Sequence, residues 1–308
     1  MSQTTARTSS ALIAAEAISQ PTAISQPTAL RPRRRVKVRP ARVLLHVLLT
    51  LGALASLFPF YWMAVLATHS TSVIYQWPPQ LIPGDQFGVN FGNVLANINL
   101  WGSIGNTIFV AVSVTCLVLF FDSLAAFSFS KYKFPGRDIL FTIVIATFLL
   151  PAQLATIPQF LIMAELGWVS TLKALIIPAA ANAFGIFWLR QYMISSIPDE
   201  LIDAARIDGC GFFRQYLHVC LPTVRPALGF LGIFTFIGAW NEFMWPLIVL
   251  NDPSKLTLQV ALSQLNTAHG TDYGMLMAGA LVSVIPLIIV FLVGAKQFLS
   301  GLTAGALK

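Results

Sequence analysis

Long apolar blocks recur along this chain, and they constrain its fold more than any other feature of the sequence. A helix needs about 20 mostly apolar residues to cross the hydrocarbon core of a bilayer. Six blocks of that kind lie at approximately 43–67, 103–127, 138–162, 171–193, 227–250 and 276–299. The chain is 56% hydrophobic and 10% charged, whereas a soluble domain carries roughly a quarter charged residues. We therefore predict an all-α membrane protein with six transmembrane helices, in which internal prolines interrupt the blocks and are expected to introduce kinks.

The placement of basic residues predicts the orientation of these helices. All of the 19 Lys and Arg except Lys173 and Lys255 lie on one predicted side, and eight of them precede the first block. Cytoplasmic flanks retain positive charge, so we expect both termini in the cytoplasm of a multi-pass plasma-membrane protein. The same placement argues against nucleic-acid binding, because the net charge of +7 arises from helix flanks and not from a basic groove.

The composition divides the chain into three parts. Residues 1–42 are predicted to form a disordered basic tail, because Ser, Thr, Gln, Pro and Arg predominate and the hexapeptide Ile18–Ala23 is repeated as Ile24–Ala29. Residues 43–299 form the predicted six-helix membrane domain. Residues 300–308 form a short C-terminal tail, which we also expect in the cytoplasm.

The segment 195–226 is the one long polar stretch between predicted cytoplasmic helix ends, and it indicates two short helices joined at a glycine. We expect Ser196 to cap the first helix and Gly209 to end it in a left-handed conformation. The second helix is predicted to carry one apolar stripe, with Gln215 facing elsewhere. The stripe consists of Phe212, Phe213, Tyr216, Leu217, Cys220 and Leu221. Taken alone, this pattern is also that of an interfacial helix pair that only closes one end of the bundle.

The spacing in this segment resembles the signature of the integral-membrane permeases of binding-protein-dependent ABC importers. That signature is Glu-Ala-Ala, three residues, Gly, nine residues, Ile, one residue and Leu-Pro. The matching residues keep every interval, with Asp for Glu and Val for Ile: Asp203, Ala204, Ala205, Gly209, Val219, Leu221 and Pro222. The resemblance implies a type I importer permease fold. In that fold a cytoplasmic helix-turn-helix coupling loop, here including Asp208, docks into an ATP-hydrolysing subunit.

Further motifs extend the resemblance over about residues 44–308 and make the chain similar to the smaller permease of maltose-type carbohydrate importers. These motifs lie at 123–127, 134–138, 240–243 and 301–305. The resemblance implies half of an alternating-access pathway for a sugar or oligosaccharide. It implies as partners a second homologous permease, two ATPase subunits that bind the ATP, and an extracytoplasmic sugar-binding protein. It also implies that Gly301, Thr303 and Gly305 contact the ATPase subunits.

Two adjacent polar residues, Asn241 and Glu242, interrupt the fifth apolar block. An ionisable side chain is costly there and usually faces the bundle interior or a water-filled path. Two interpretations stay open: the pair lines the translocation pathway, or it forms hydrogen bonds between helices. Asp122, in the second block, is interpreted as structural.

Several other activities have no support in the sequence. No Gly-x-x-x-x-Gly-Lys-Ser/Thr loop occurs, so we expect neither ATP hydrolysis by this chain nor a cofactor of its own. The four histidines are scattered, which argues against a metal site and against an enzyme. Two transport alternatives stay open. One is an ABC permease for a non-sugar solute such as a glycerol phosphate, and the other is a secondary transporter, whose inverted repeats are not evident.

Overall fold

The computed structural model of the protein describes residues 40–267 and 270–304, and most of them are helical. The α-helices are α1 Pro40–Leu66, α2 Thr71–Ile74, α3 Phe87–Asn97, α4 Leu100–Lys131, α5 Arg137–Phe148, α6 Thr156–Glu165, α7 Lys173–Ile176, α8 Ala183–Ser196, α9 Asp199–Ile207, α10 Phe212–Gln215, α11 Leu221–Thr223, α12 Arg225–Asn241, α13 Met244–Val249, α14 Leu258–Ser263 and α15 Tyr273–Ala304. The 3-10 helices are Ala152–Ala155 and Pro253–Lys255, and the π-helix is Tyr216–Cys220. Strands β1 Asn266–Thr267 and β2 Gly270–Thr271 pair antiparallel, with Asn266 opposite Thr271. The all-α prediction is therefore confirmed except for this pair of two-residue strands.

Internal contacts divide the chain into two units, Met1–Leu54 and Ala55–Lys308, and α1 passes through the boundary. In the described part of the first unit, residues 41–54 are helical and their side chains are exposed. α1 begins at Pro40, inside the region predicted as a tail. The remainder of that predicted tail lies outside the described residues.

The core of the second unit is built around α4. This helix packs against α8 and α12, and α12 packs in turn against α15. Small residues allow the helices to approach closely, because a Cβ at Gly232 would lie 3.3 Å from Leu119 Cδ1. Fully buried Trp240 joins α12 to α15 through its Nε1–H, which donates to Ser283 O at 3.2 Å.

Three helices, α1, α4 and α15, are long and apolar enough to cross a membrane by themselves. Two bent pairs have the same length and apolar character when each is taken as one span. α5 with 152–165 is bent by 95°, and 212–223 with α12 is bent by 81°. The described helices therefore give three spans, or up to five if each pair crosses as one, and not six uninterrupted crossings.

The breaks in the predicted blocks have local causes. Pro151 follows α5 and has no N–H with which to continue the helical hydrogen bonding. In the fourth block, α7 ends before Pro178 and α8 starts after Asn182. Asn182 caps α8, because its Oδ1 accepts a hydrogen bond from Gly185 N–H at 2.8 Å. Near Pro151 and Pro178 the blocks are therefore broken, which is more than the expected kink.

Replacing Gly185 by Ala is expected to destabilise the packing of α8 against α4. A Cβ at this position would overlap Asp122 Oδ2, and overpacking a close contact costs about 1–3 kcal/mol. Gly105→Ala in α4 is the matched control, because a Cβ there meets nothing within 4 Å. Thermal unfolding of the purified protein in detergent should give a lower Tm for Gly185→Ala than for Gly105→Ala. Equal Tm values would contradict this packing.

Candidate functional site

The first helix of the 195–226 segment, α9, ends in a left-handed glycine as predicted. Gly209 has a φ of +78°, and its N–H donates to Arg206 O at 3.0 Å. The next N–H, of Cys210, donates to Ala205 O at 2.9 Å. These two bonds form a Schellman motif. A Cβ at Gly209 would meet nothing within 4 Å, so backbone conformation and not crowding favours glycine here.

The start of α9 differs from the prediction. Ser196 belongs to α8, where its Oγ donates to Tyr192 O at 2.7 Å. Helical hydrogen bonding continues past it, because Ile197 N–H donates to Met193 O at 3.1 Å. Pro198 takes the N-cap position of α9 without a side-chain hydrogen bond. The expected Ser196 cap is therefore wrong.

The burial of the second half differs from the predicted stripe. Tyr216 and Cys220, the end residues of the π-helix, are buried, while Phe213 and Leu217 are exposed. The buried Tyr216 hydroxyl shares a 2.7 Å hydrogen bond with Ser123 Oγ. Gln215, predicted to face away from the apolar stripe, is only 2% exposed. The predicted stripe is therefore only partly buried, and Gln215 belongs to the buried residues.

A buried cation joins the segment to the end of α4. The Lys131 side chain is only 5% exposed, and its Nζ donates to Asp199 Oδ1 at 2.7 Å and to Ile197 O. The neighbouring ammonium group holds the pKa of Asp199 below its usual range. Because Ile197 and Asp199 flank the N-cap of α9, this contact fixes where α9 begins relative to α4.

A second contact joins the other half of the segment to the same end of α4. Tyr132 OH donates to Gln215 Oε1 at 2.7 Å, and Gln215 Nε2–H donates to Cys210 O at 2.6 Å. The Tyr132 ring lies 5.0 Å from the Phe212 ring, centroid to centroid, and 5.3 Å from the Arg206 guanidinium carbon. Both halves of the segment are therefore anchored to α4 and its C-cap.

Sequence reasoning missed this anchor. Lys131 counts in the sequence only as a flank charge, and Gln215 is assigned to an outer face. The one available signal is that Lys131 and Tyr132 directly follow the second apolar block, where interfacial residues are common.

Apolar side chains remain exposed on the far side of the segment. Ile207 is 87% exposed, and Phe213 and Leu217 are more than half exposed. The two alanines of the signature differ, because Ala204 is exposed whereas Ala205 is buried.

The remaining signature residues are arranged as follows. Asp203 is exposed and accepts a hydrogen bond from Arg206 Nη1 at 3.0 Å, an ion pair of a kind that adds little stability. Asp208 is also exposed. In the second half, Val219 and Leu221 are half-buried and Pro222 is exposed.

Asn241 and Glu242 lie at a helix break and not inside a continuous helix. α12 ends at Asn241, and Glu242 has an extended backbone with a ψ of 125°. Both residues are exposed. Their hydrogen bonds are local: Asn241 Nδ2–H donates to Ile237 O at 2.9 Å, and Glu242 Oε1 accepts from Trp245 N–H at 3.2 Å. These bonds do not link different long helices, so they give no support to the structural interpretation.

The predicted C-terminal tail begins as helix. α15 continues to Ala304, so the backbones of Gly301 and Thr303 are helical, whereas Gly305 lies outside the described residues. Within the ranges 40–267 and 270–304, no group of three or more His, Cys, Asp or Glu could hold a metal ion.

Comparison with known families identifies this architecture. The family described as binding-protein-dependent transport system inner membrane component matches residues 119–298, a range that includes the whole 195–226 segment. The chain belongs to this family. It is therefore a membrane component of a transport system and not an enzyme.

Relatives of this inner membrane component carry the names of several transport systems. It is 34% identical over 208 residues to the arabinooligosaccharides transport system permease protein of Halalkalibacterium halodurans, covering 68% of this chain and 74% of that protein. It is 29% identical over 277 residues to the sn-glycerol-3-phosphate transport system permease protein of Agrobacterium fabrum, covering 87% of this chain and 98% of that protein. A crystal structure of a bacterial ABC transporter involved in the import of the acidic polysaccharide alginate contains a chain of similar fold. That chain gives a TM-score of 0.73 at 29% identity, covering 84% of this chain and 96% of its own length.

In this inner membrane component, replacing Asp199 by Asn is expected to loosen the 195–226 segment. The buried Lys131 ammonium group would lose its carboxylate partner, which is unfavourable for a buried charge. Glu200→Gln is the matched control, because Glu200 is an adjacent exposed acid outside this contact. Limited proteolysis should cut the segment faster in Asp199→Asn than in Glu200→Gln. Equal rates of cutting would show that the Lys131 contact does not hold the segment.

The same contact predicts a dependence on pH. Folding lowers the pKa of Asp199, so its stabilising effect is present above the unfolded pKa and is lost as pH falls through the folded value. Proteolysis of the wild-type segment should therefore become faster at acidic pH, while the Asp199→Asn variant changes less over the same range.

Proposed function

We propose that the chain is one of two permease subunits of a carbohydrate ABC importer in the plasma membrane, with both termini in the cytoplasm. It forms half of an alternating-access pathway for a sugar or oligosaccharide. Its partners are a second homologous permease, two ATPase subunits that bind the ATP, and an extracytoplasmic binding protein. The observation that carries the proposal is the 195–226 segment, which is anchored to α4 on one side and exposes apolar residues on the other.

Six crossings are compatible with the broken helices. We assign them in chain order to α1, α4, the bent pair of α5 with 152–165, the interrupted segment of α7 and α8, α12, and α15. Broken helices are tolerated at membrane depth where protein groups bind the free backbone. The break before α8 meets this condition, because Asp122 Oδ1 accepts a hydrogen bond from Asn182 N–H at 3.1 Å.

The 195–226 segment is proposed to act as the coupling loop. The exposed surface with Ala204, Ile207 and Phe213 would enter a cleft of an ATPase subunit, with Asp203 and Asp208 as acidic groups beside it. Because the opposite side is bonded to Lys131, movement of the ATPase would displace α4 and not only bend the segment. A second contact with the ATPase subunits is proposed at the end of α15, through the residues Gly301, Thr303 and Gly305.

The relatives leave two substrate classes, carbohydrate and glycerol phosphate, and local chemistry favours carbohydrate. Asn241 and Glu242 are exposed at the helix break, as residues that line a pathway shared with a second permease would be. An amide and a carboxylate bind sugar hydroxyls well, whereas a phosphate group requires cationic partners. Uptake of labelled oligosaccharide, compared with uptake of labelled sn-glycerol-3-phosphate, distinguishes the two classes.

Replacing Gly209 by Val is expected to uncouple transport from ATP hydrolysis. A β-branched residue in the left-handed region costs of order 1–3 kcal/mol and would change the angle between the two halves of the segment. In the purified complex, we expect less ATPase retained per permease and weaker stimulation of hydrolysis by the sugar-loaded binding protein.

Gly211→Val is the matched control for this change. Gly211 has a φ of −71° and open space around its Cβ position, so the same side chain fits there without strain. If Gly209→Val retains the ATPase and is stimulated like Gly211→Val, the segment is not the coupling element.

The proposed orientation is tested by cysteine labelling. Ile207 is 87% exposed and Trp77 is 89% exposed, so a cysteine at either position is accessible in the single chain. After the native cysteines are replaced by Ser, an impermeant thiol reagent should label Trp77→Cys in intact cells and Ile207→Cys only after permeabilisation. Labelling of Ile207→Cys from outside would overturn the orientation.

A further inference from the structure

The turn between α4 and α5 forms an open cavity of about 410 Å³ that the transport proposal does not use. The cavity is lined by Lys133, Phe134, Gly136, Arg137, Asp138 and Ile139. α4 is long and apolar enough to span a membrane, and α5 is part of a bent pair with the same apolar character. Under the proposed topology, a cavity at the junction of these helices would lie at the level of the lipid headgroups.

Cations predominate around this cavity. Arg137 Nε–H donates to Asp138 Oδ1 at 2.9 Å, and the Arg137 side chain is still partly exposed. Lys133 is exposed at the cavity and lies within electrostatic range of Asp199, which is already bonded to Lys131. The lining of the cavity therefore holds more cationic than acidic side chains. Of the two cations, Arg137 is paired with Asp138, and Lys133 is the less engaged with acidic groups.

A third cation stands behind the cavity on an aromatic wall. The Arg190 guanidinium carbon lies 4.1 Å from the centroid of the Phe141 ring, and Arg190 Nε–H donates to Phe129 O at 3.3 Å. The Phe129 ring packs between Phe141 and Phe134, with centroids 5.5 Å and 5.9 Å away. This wall holds a positive charge near the cavity without neutralising it.

An apolar surface continues from the cavity along α5. Ile139, Leu140 and Ile143 are exposed, and no residue of α5 is buried. A ligand that contacts both regions must combine an anionic group with a long apolar part. Inorganic phosphate has the same oxyanion chemistry but would leave this apolar surface uncovered.

We propose that the cavity binds the phosphate headgroup of an anionic phospholipid, whose acyl chains lie along the exposed face of α5. Lys133 and Arg137 contact the headgroup, Arg190 adds long-range attraction, and Asp138 opposes binding. The phospholipid thereby fills the surface between the end of α4 and the start of α5.

The test measures lipid that stays bound to the full-length protein in its complex. The complex is reconstituted in phosphatidylcholine vesicles that contain phosphatidylglycerol as a minor component, extracted in detergent and analysed by native mass spectrometry. The double variant Lys133→Gln/Arg137→Gln should retain roughly tenfold less phosphatidylglycerol than the wild type. Lys173→Gln/Lys255→Gln is the matched control, because it removes two exposed cations elsewhere and should retain the wild-type amount.

A variant that is expected to increase lipid retention distinguishes an effect on lipid binding from misfolding. Asp138→Asn removes the acid and frees Arg137, so it should retain more phosphatidylglycerol than the wild type, an increase that a damaged fold would not produce. Equal retention in all variants would overturn the proposal. So would displacement of the retained lipid by inorganic phosphate alone, or release of a protein subunit from Lys133→Gln/Arg137→Gln with lipid retention unchanged.

Discussion

Breaks in membrane helices leave backbone groups without helical partners, and at the break before α8 a side chain of α4 binds one of them. Such groups have no water to bind in the hydrocarbon core, so protein atoms must replace it. Asp122 Oδ1 accepts from Asn182 N–H at the start of α8. Thr107 Oγ1 of the same helix accepts from Leu258 N–H at 2.8 Å at the start of α14, which lies outside the predicted membrane blocks. The positions of α8 and α14 therefore depend on polar side chains of α4.

The same helix connects two distant parts of the second unit. Near its N-terminus, Asn106 Nδ2–H donates to Ser254 O and Leu256 O at 3.0 and 3.1 Å. At its C-terminus, Lys131 binds the start of the 195–226 segment. A helical rise of 1.5 Å per residue separates these contacts by roughly 37 Å. Under the proposed function, one continuous helix thus transmits a displacement of the segment to the loop at its far end.

Local rules predicted the features that depend on chemistry within a few residues. The apolar blocks predicted the membrane class and the α-helices, and the position of Gly209 after α9 predicted its left-handed conformation. Local rules failed where one residue can take either of two local conformations. Ser196 has the chemistry of an N-cap, but it continues α8 because the next N–H still finds a helical acceptor. The predicted apolar stripe does not coincide with the buried face, because Gln215 is buried with its hydrogen bonds to Tyr132 and Cys210 while Phe213 and Leu217 are exposed.

The sequence by itself determined that the chain is an α-helical membrane protein and that the spacing from Asp203 to Pro222 matches an ABC permease signature, because both follow from composition and intervals along the chain. Only the tertiary structure decided that Lys131 is buried against Asp199 and that Gln215 bonds to Tyr132. These partners lie far apart in sequence, and they meet because α4 packs against α8 and α12. Side-chain burial at such contacts depends on how whole helices pack, and no local pattern of residues encodes that packing.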